Sequence, residues 1–416
     1  MSDLLLEPPV VAEASVPAPV SSATTRRWLI AFYSYILTYN TIFSSAIWVI
    51  YLAAHGYSPF AIGLVETTFH VVKFVAEVPT GVFADLVGRR KSLMVACIVG
   101  AVGELCFLTP AVPLVLLSIS FSALSFAFRG GAEESLLWMI AGHQAPTQQA
   151  THYSKLVSRM FLIMLVGEVI GSATGGFLGR VLQVLPFLCQ AAMYLLAILP
   201  LLFVPEQRVA ASAHVSAMRH VGKAFRVAWR TPMLLGLLLV GALSDSCWTT
   251  IYYYNQLYLH GLGFSLAAIG LIIAGSRVIN FGVTAAAPRI MRVLPPRWLV
   301  PLFVGIGGAG VLVMSLPQGV VSLLGYLVLL QTAVAVLSPA LSTYLNERCP
   351  EEQRATVLSL QTGLFSAAMI VLFPLFGLGA TQIAYTVLYR WVVVAMMGGC
   401  AAVAGLVWFL KRGRGR

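Results

Sequence analysis

Eleven charged side chains lie inside apolar stretches long enough to cross a membrane: Glu66, Glu77, Glu104, Glu133, Glu134, Glu168 and Asp245 against Lys73, Arg129, Arg277 and Arg390. A charge in hydrocarbon costs a few kcal/mol on insertion scales, so each is a functional candidate by default. Seven acids against four bases leave three formal negatives, a balance that suits protons or cations better than anions.

Spacing groups these residues. Ser118, Ser122, Ser125, Arg129 and Glu133 recur at steps of 4, 3, 4 and 4, one face of a helix that cannot look at lipid. Arg129 and Glu133 can pair, and a buried carboxyl beside an arginine changes charge when that pairing is exchanged for a proton or cation. The plain alternative is a pair that only locks the helix, and Glu134 points elsewhere. Asp245, Trp248, Tyr252 and Asn255 follow at steps of 3, 4 and 3, an acidic and aromatic face able to hold an organic cation. Glu66, His70, Lys73 and Glu77 form a third stripe. There Lys73 and Glu77 read as an internal pair, while Glu66 and His70 either move a proton or simply pack. Spacing offers no partner for Glu104, Glu168, Arg277 or Arg390.

Such residues need a membrane scaffold. Of 416 residues, 59% are hydrophobic and 10% charged, with mean hydropathy +0.88, whereas soluble domains carry about 25% charged residues. Twelve apolar runs follow one another, six in 28–204 and six in 232–410, separated by a polar central loop over 205–231. Residues 1–27, rich in Pro, Ala, Ser and Thr, read as a disordered tail, and 411–416 as a basic one. No cleaved secretory peptide is expected, because the run after Trp28 is long enough to span and stay. Cys97, Cys106, Cys189, Cys247, Cys349 and Cys400 contain no CxxC pair and read as small hydrophobes, with neither disulfide nor metal indicated.

The net charge of +11 reflects placement rather than a nucleic-acid partner. With the N-terminus cytoplasmic, the inside segments hold 21 Lys and Arg and the outside loops only Arg180, which sets both termini inside. The halves also repeat. Ala61-Ile62-Gly63-Leu64 recurs as Ala268-Ile269-Gly270-Leu271 and Val71-Val72-Lys73-Phe74 as Val278-Ile279-Asn280-Phe281, both 207 residues on, and Gln148-Gln149-Ala150-Thr151 as Gln353-Arg354-Ala355-Thr356, 205 on. A duplicated six-helix unit follows, with a binding site between the halves.

Between spans 2 and 3 stands Gly81-Val82-Phe83-Ala84-Asp85-Leu86-Val87-Gly88-Arg89-Arg90-Lys91. It resembles the G-x-x-x-D-R-x-G-R-R-K loop of the major facilitator superfamily, with Leu86 where that family usually has Arg. The resemblance implies an all-α membrane protein of twelve transmembrane helices in two pseudo-symmetric six-helix bundles, with spans 1, 4, 7 and 10 lining a cavity. It implies that Asp85 contacts the start of span 11, near Thr356, and steadies an outward-open state, while Gly81 and Gly88 permit tight turns and close helix approach. In span 5, Gly171-Ser172-Ala173-Thr174-Gly175-Gly176 is similar to the G-P-x-x-G-G signature of the superfamily's antiporters, with Ser172 replacing proline. Gly167, Gly171 and Gly175, four apart, equally make a plain packing face.

The expected function is therefore secondary transport by alternating access: proton-coupled antiport exporting small amphiphilic or cationic compounds, or else proton-coupled uptake of a nutrient. No GxxxxGK[ST] is present, so ATP drive is unsupported, and no grouping of nucleophile, base or metal ligands indicates an enzyme or a cofactor. The expected partners are the lipid bilayer, the cargo and protons, with the chain a monomer in a bacterial cytoplasmic membrane.

Overall fold

The structure, a computed structural model, describes residues 21–206, 231–316, 318–349 and 354–414. Most of the expected tail and central loop therefore lies outside the described residues. The rest folds as helices, with no strand among the described residues. Among the described residues, ten helices are long and apolar enough to cross a membrane. They are α1 (Ser22–Ala54), α2 (Pro59–Val87), α4 (Val112–Gln144), α5 (Gln149–Val181), α7 (Pro232–Gly261), α8 (Leu266–Val293), α9 (Pro296–Met314), α10 (Gly319–Leu345), α11 (Leu360–Gln382, the helix itself starting at Arg354) and α12 (Tyr385–Leu410). Two more complete the series. These are α3 (Arg89–Cys106), whose first turn holds Arg89, Arg90 and Lys91, and α6 (Leu185–Leu201), a shorter apolar pair of helices. Among the described residues, six of these helices, α1–α6, precede the central segment and six, α7–α12, follow it.

The first helix starts at Ser22, not at Trp28, because the Ser21 hydroxyl accepts from the Thr24 N–H at 3.2 Å and caps it. Arg26 and Arg27 thus ride on a helix rather than in a tail. The repeat is visible in the caps as well. Ser58 accepts from Ala61 N–H and Ser265 from Ala268 N–H, equivalent residues 207 apart that start α2 and α8 in the same way.

Three of the helices are interrupted. α1 is broken over Thr41–Ile47, with a short 3-10 turn at Ser44–Ala46. α4 divides into Val112–Arg129 and Ala132–Gln144 at Gly130 and Gly131, the latter left-handed at φ 70°. α10 contains a π-helical turn, Gly325–Leu330. Here a Cβ on Gly310 of α9 would lie 3.0 Å from the Gly325 carbonyl. Backbone freed at membrane depth is tolerated only where protein or a cavity satisfies it.

The halves meet along α2 with α11 and α5 with α8. Tyr254 donates to the Pro59 carbonyl at 2.7 Å, Thr67 to the Ile370 carbonyl at 3.3 Å, and Gln256 to the Ser45 carbonyl at 3.1 Å. Trp48 packs edge-on against Tyr253, and His70 against Phe365. Gly63 sits against Phe373 and Pro374, and Gly176 against Gly270. These contacts seal the molecule toward the end that carries Pro59, Val181 and Leu266.

Candidate functional site

The break in α4 builds the first part of the site. A continuous helix would have placed Arg129 and Glu133 on one stripe; instead the helix ends at Arg129, and Gly130–Gly131 turn the chain into a second helix whose first turn carries Glu133 and Glu134. The pair survives the break. Arg129 Nε donates to Glu133 Oε1 at 2.7 Å and Nη2 to Oε2 at 3.2 Å, a two-pronged contact with both side chains nearly buried. α1 fixes both partners: the Tyr35 hydroxyl donates to Glu133 Oε1 at 2.8 Å, Arg129 lies 4.1 Å over the Tyr39 ring, and Nη2 reaches Asn40 Oδ1 at 3.4 Å. Such bidentate, charge-assisted geometry is the strong kind of hydrogen bond.

A cavity of about 430 Å³ opens on this pair, and Glu134 and Glu168 line it together with Arg129 and Glu133. A second cavity of about 200 Å³ shares the walls Ile42, Phe69, Ser122 and Tyr194 and carries Glu66 and Glu104. Glu104, unassignable by spacing, accepts from the Ser44 hydroxyl at 3.1 Å. That hydroxyl is offered by the broken stretch of α1, which a linear reading of an apolar run does not reveal. His70 Nε2 lies 3.6 Å from Glu66, with both groups buried, and His70 Nδ1 has no hydrogen-bond partner among the described residues. The expected Lys73–Glu77 pair does not form: Lys73 lies 4.3 Å over the Phe126 ring, and Glu77 is exposed.

The α7 stripe is not gathered into one place. Trp248 is buried against Gly307 of α9. Asn255 accepts from Tyr389 of α12 at 3.4 Å. Tyr252 has Arg277 of α8 4.9 Å over its ring. Asp245 is half-buried, and among the described residues no hydrogen bond or ion pair reaches it. A helix of 30 residues inside a bundle turns one stripe past several neighbours, so these four side chains serve different contacts. The acidic lining belongs to the N-terminal half.

Two further bases find partners through the fold. Arg277 Nε stands 3.4 Å from Glu168 Oε2, from α8 across to α5, and Arg390 Nε reaches the Ser315 hydroxyl at 3.4 Å. Sequence separations of 109 and 75 hide both pairs from any periodicity.

In the loop between α2 and α3, Asp85 is paired with Arg89, one turn on. The contact expected with the start of α11 near Thr356 falls on side chains outside the described residues. Arg90 instead ties the loop to the end of α6: its N–H donates to Glu206 at 3.0 Å and its side chain to the Val204 carbonyl at 3.1 Å. Gly88, at φ 119°, needs to be glycine, but Gly81 does not serve close approach here, since a Cβ there would meet nothing within 4 Å.

The α5 glycines have a definite job. A Cβ on Gly167 would lie 2.9 Å from the Asn40 carbonyl carbon, and one on Gly171 2.7 Å from the Ile42 carbonyl. One on Gly175 would lie 2.9 Å from the Phe43 carbonyl carbon. The glycine face receives the broken backbone of α1, while Gln190 of α6 accepts the freed Phe43 N–H at 2.8 Å. Gly176 turns the other way, onto α8.

This architecture, two halves of apolar helices with acidic cavities inside the first, is that of a multi-pass transporter. The sequence profile of the Major Facilitator Superfamily matches residues 28–374, and the chain belongs to that family. It is 23% identical over 361 residues to the uncharacterized MFS-type transporter YxaM of Bacillus subtilis (strain 168), covering 85% of this chain and 88% of that protein. Among solved structures it superposes on a D-xylose-proton symporter with TM-score 0.71 and 16% identity, over 93% of this chain and 97% of the other. It also superposes on an inward-facing, unoccupied bacterial homologue of the human lysosomal transporter Spinster with TM-score 0.72 and 16% identity, over 94% and 98%.

Proposed function

We propose that the chain exports small amphiphilic or cationic compounds by proton-coupled antiport. Secondary transport by alternating access is the family's mode of action; direction and cargo are this reading's own. The observation that carries it is the charge of the adjoining cavities. Five carboxyls, Glu66, Glu104, Glu133, Glu134 and Glu168, line them against the single lining guanidinium of Arg129. Aromatic walls from Phe69, Phe126, Tyr39 and Tyr194 suit an amphiphilic cation. Carboxyls so placed bind protons and cations in competition, and competition for one site in two alternately accessible states is what antiport requires.

The Lys and Arg distribution favours cytoplasmic termini in a bacterial inner membrane, with the chain working as a monomer. The sealed end then faces outward. Asp85 engages the start of α11 when the opposite, cytoplasmic end closes. The Asp245 face becomes a secondary candidate, since it lines neither cavity.

The test uses inverted vesicles with an acidified lumen and a pH-sensitive dye. Addition of a lipophilic cation should release lumenal protons, and Glu133→Gln should suppress that release. A protein shown to be inserted that answers no cation or drug, but admits a radiolabelled sugar or nucleoside together with protons, would establish uptake by symport instead.

A further inference from the structure

Among the described residues, one ion pair joins the two halves, and one of its members also lines the candidate cargo cavity. Glu168 of α5 faces Arg129, Glu133 and Glu134 across the 430 Å³ cavity, and the same carboxylate stands 3.4 Å from Arg277 of α8. We infer that Glu168 is the coupling residue: Arg277 holds it when no cation is bound, and the cationic group of the cargo takes it over, releasing the α5–α8 contact that seals one end.

Three observations carry this. First, the contact is an ion pair without a formed hydrogen bond, because Arg277 Nε has no hydrogen-bond partner among the described residues. Both side chains keep part of their surface open, 39% for Arg277 and 29% for Glu168. A contact of that kind is more readily replaced than the two-pronged Arg129–Glu133 pair in the same cavity.

Second, Arg277 does not lose all support when it is released. It lies 4.9 Å over the Tyr252 ring, which stabilises the guanidinium on the far half while Glu168 turns to another cation.

Third, the pair lies inward of the close-packed stretch of the α5–α8 seal. Outward of it the helices touch through Gly176, Gly270, Ser172 and Leu266, contacts made by backbone and apolar atoms without charge. The ion pair is therefore the charged element of this contact, and the one that a charged cargo can bias. A ligand shifts a conformational equilibrium only through such differential contact.

The inference rests on the cationic cargo proposed above, and its test separates the two. In the full-length protein with its six cysteines replaced, spin labels at Gln183→Cys and Thr381→Cys, both exposed at the sealed end, report opening by double electron–electron resonance in lipid nanodiscs. Glu168→Gln and Arg277→Gln should each raise the ratio of open to closed distances about fivefold. The exchanged pair, Glu168→Arg with Arg277→Glu, should bring the ratio back. Tetraphenylphosphonium should open the unmodified pair and leave Glu168→Gln unmoved. Unchanged distances in both single variants, or an equal tetraphenylphosphonium response in Glu168→Gln, overturns the assignment. If the variants shift the ratio but tetraphenylphosphonium moves neither protein, displacement by a cation is refuted, and with it the cationic cargo rather than the ion pair.

Discussion

Gly176→Ala should open the sealed end without unfolding either half. The added Cβ would lie 3.0 Å from the Gly270 Cα and 3.2 Å from the Ala267 Cα, with the Leu266 carbonyl oxygen closer still. Ordinary contact begins at 3.4 Å, so α5 and α8 must part by about 1 Å to clear the Leu266 oxygen, and the obstacles are backbone atoms that cannot rotate away. Overpacking of this kind costs about 1–3 kcal/mol. Because the clash lies between the halves, opening relieves it, and the cost is transferred to the closed state alone. The open-to-closed ratio should therefore rise about 5- to 150-fold, read from the same label pair across the sealed end. Gly171→Ala supplies the contrast, since its Cβ would meet the Ile42 backbone at 2.7 Å within one half, where opening relieves nothing. It should lower the thermal midpoint in detergent and leave the distances unchanged. A folded Gly176→Ala protein with the parent's distance distribution would refute the claim that the α5–α8 glycines set the seal.

Other expectations follow from single contacts. Tyr35→Phe removes the buried donor to Glu133 Oε1 and should destabilise the folded protein by about 1–3 kcal/mol, seen as a lower thermal midpoint. Gly131→Ala, at φ 70° with open space around its Cβ, should cost about 1 kcal/mol from the backbone alone, whereas Gly81→Ala, in a helix interior with open space around the added Cβ, should raise the midpoint slightly. Asp85→Asn should slow turnover more than it alters the apparent affinity for cargo in vesicle transport, and an effect on affinity alone would count against a latch role.

Much of the scaffold could be read from the chain because its signals are local. Apolar run length sets the helices, the Ala61–Leu64 and Ala268–Leu271 repeat sets the two halves, and Gly88 and Asp85 mark the loop by their spacing. The Arg129–Glu133 pair was also legible, since four residues separate it, although the helix it was placed on breaks at Gly130. The rest of the site was not legible, for two physical reasons. Helix breaks at Thr41–Ile47 and Gly130–Gly131 redirect side chains without altering hydropathy, so Ser44 meets Glu104 and the Asn40–Phe43 backbone meets Gly167, Gly171 and Gly175. Long-range pairs such as Glu168 with Arg277 depend on which helices neighbour each other, and periodicity along one helix carries no such information. The same limit explains the α7 stripe, where Asp245, Trp248, Tyr252 and Asn255 share a spacing but not a neighbour.

The repeat separates what closes the molecule from what senses charge. Gly63 and Gly270 occupy equivalent places, 207 residues apart, and each admits a helix of the opposite half: Gly63 lies against Phe373 and Pro374, Gly270 against Ser172 and Gly176. The next contacts inward are also equivalent in position, His70 and Arg277, again 207 apart, yet they differ in chemistry. His70 meets the Phe365 ring and its own helix's Glu66, whereas Arg277 meets a carboxylate of the other half. Closure around a close-packed glycine is thus duplicated, and among the described residues a charge bridge between the halves is found on the α5–α8 seam alone. A two-fold scaffold with charge on one of its two seams offers a charged ligand a point of leverage along α5 and α8. The acidic cavities lie in the half that supplies Glu168, and the bridging carboxylate is also a cavity wall.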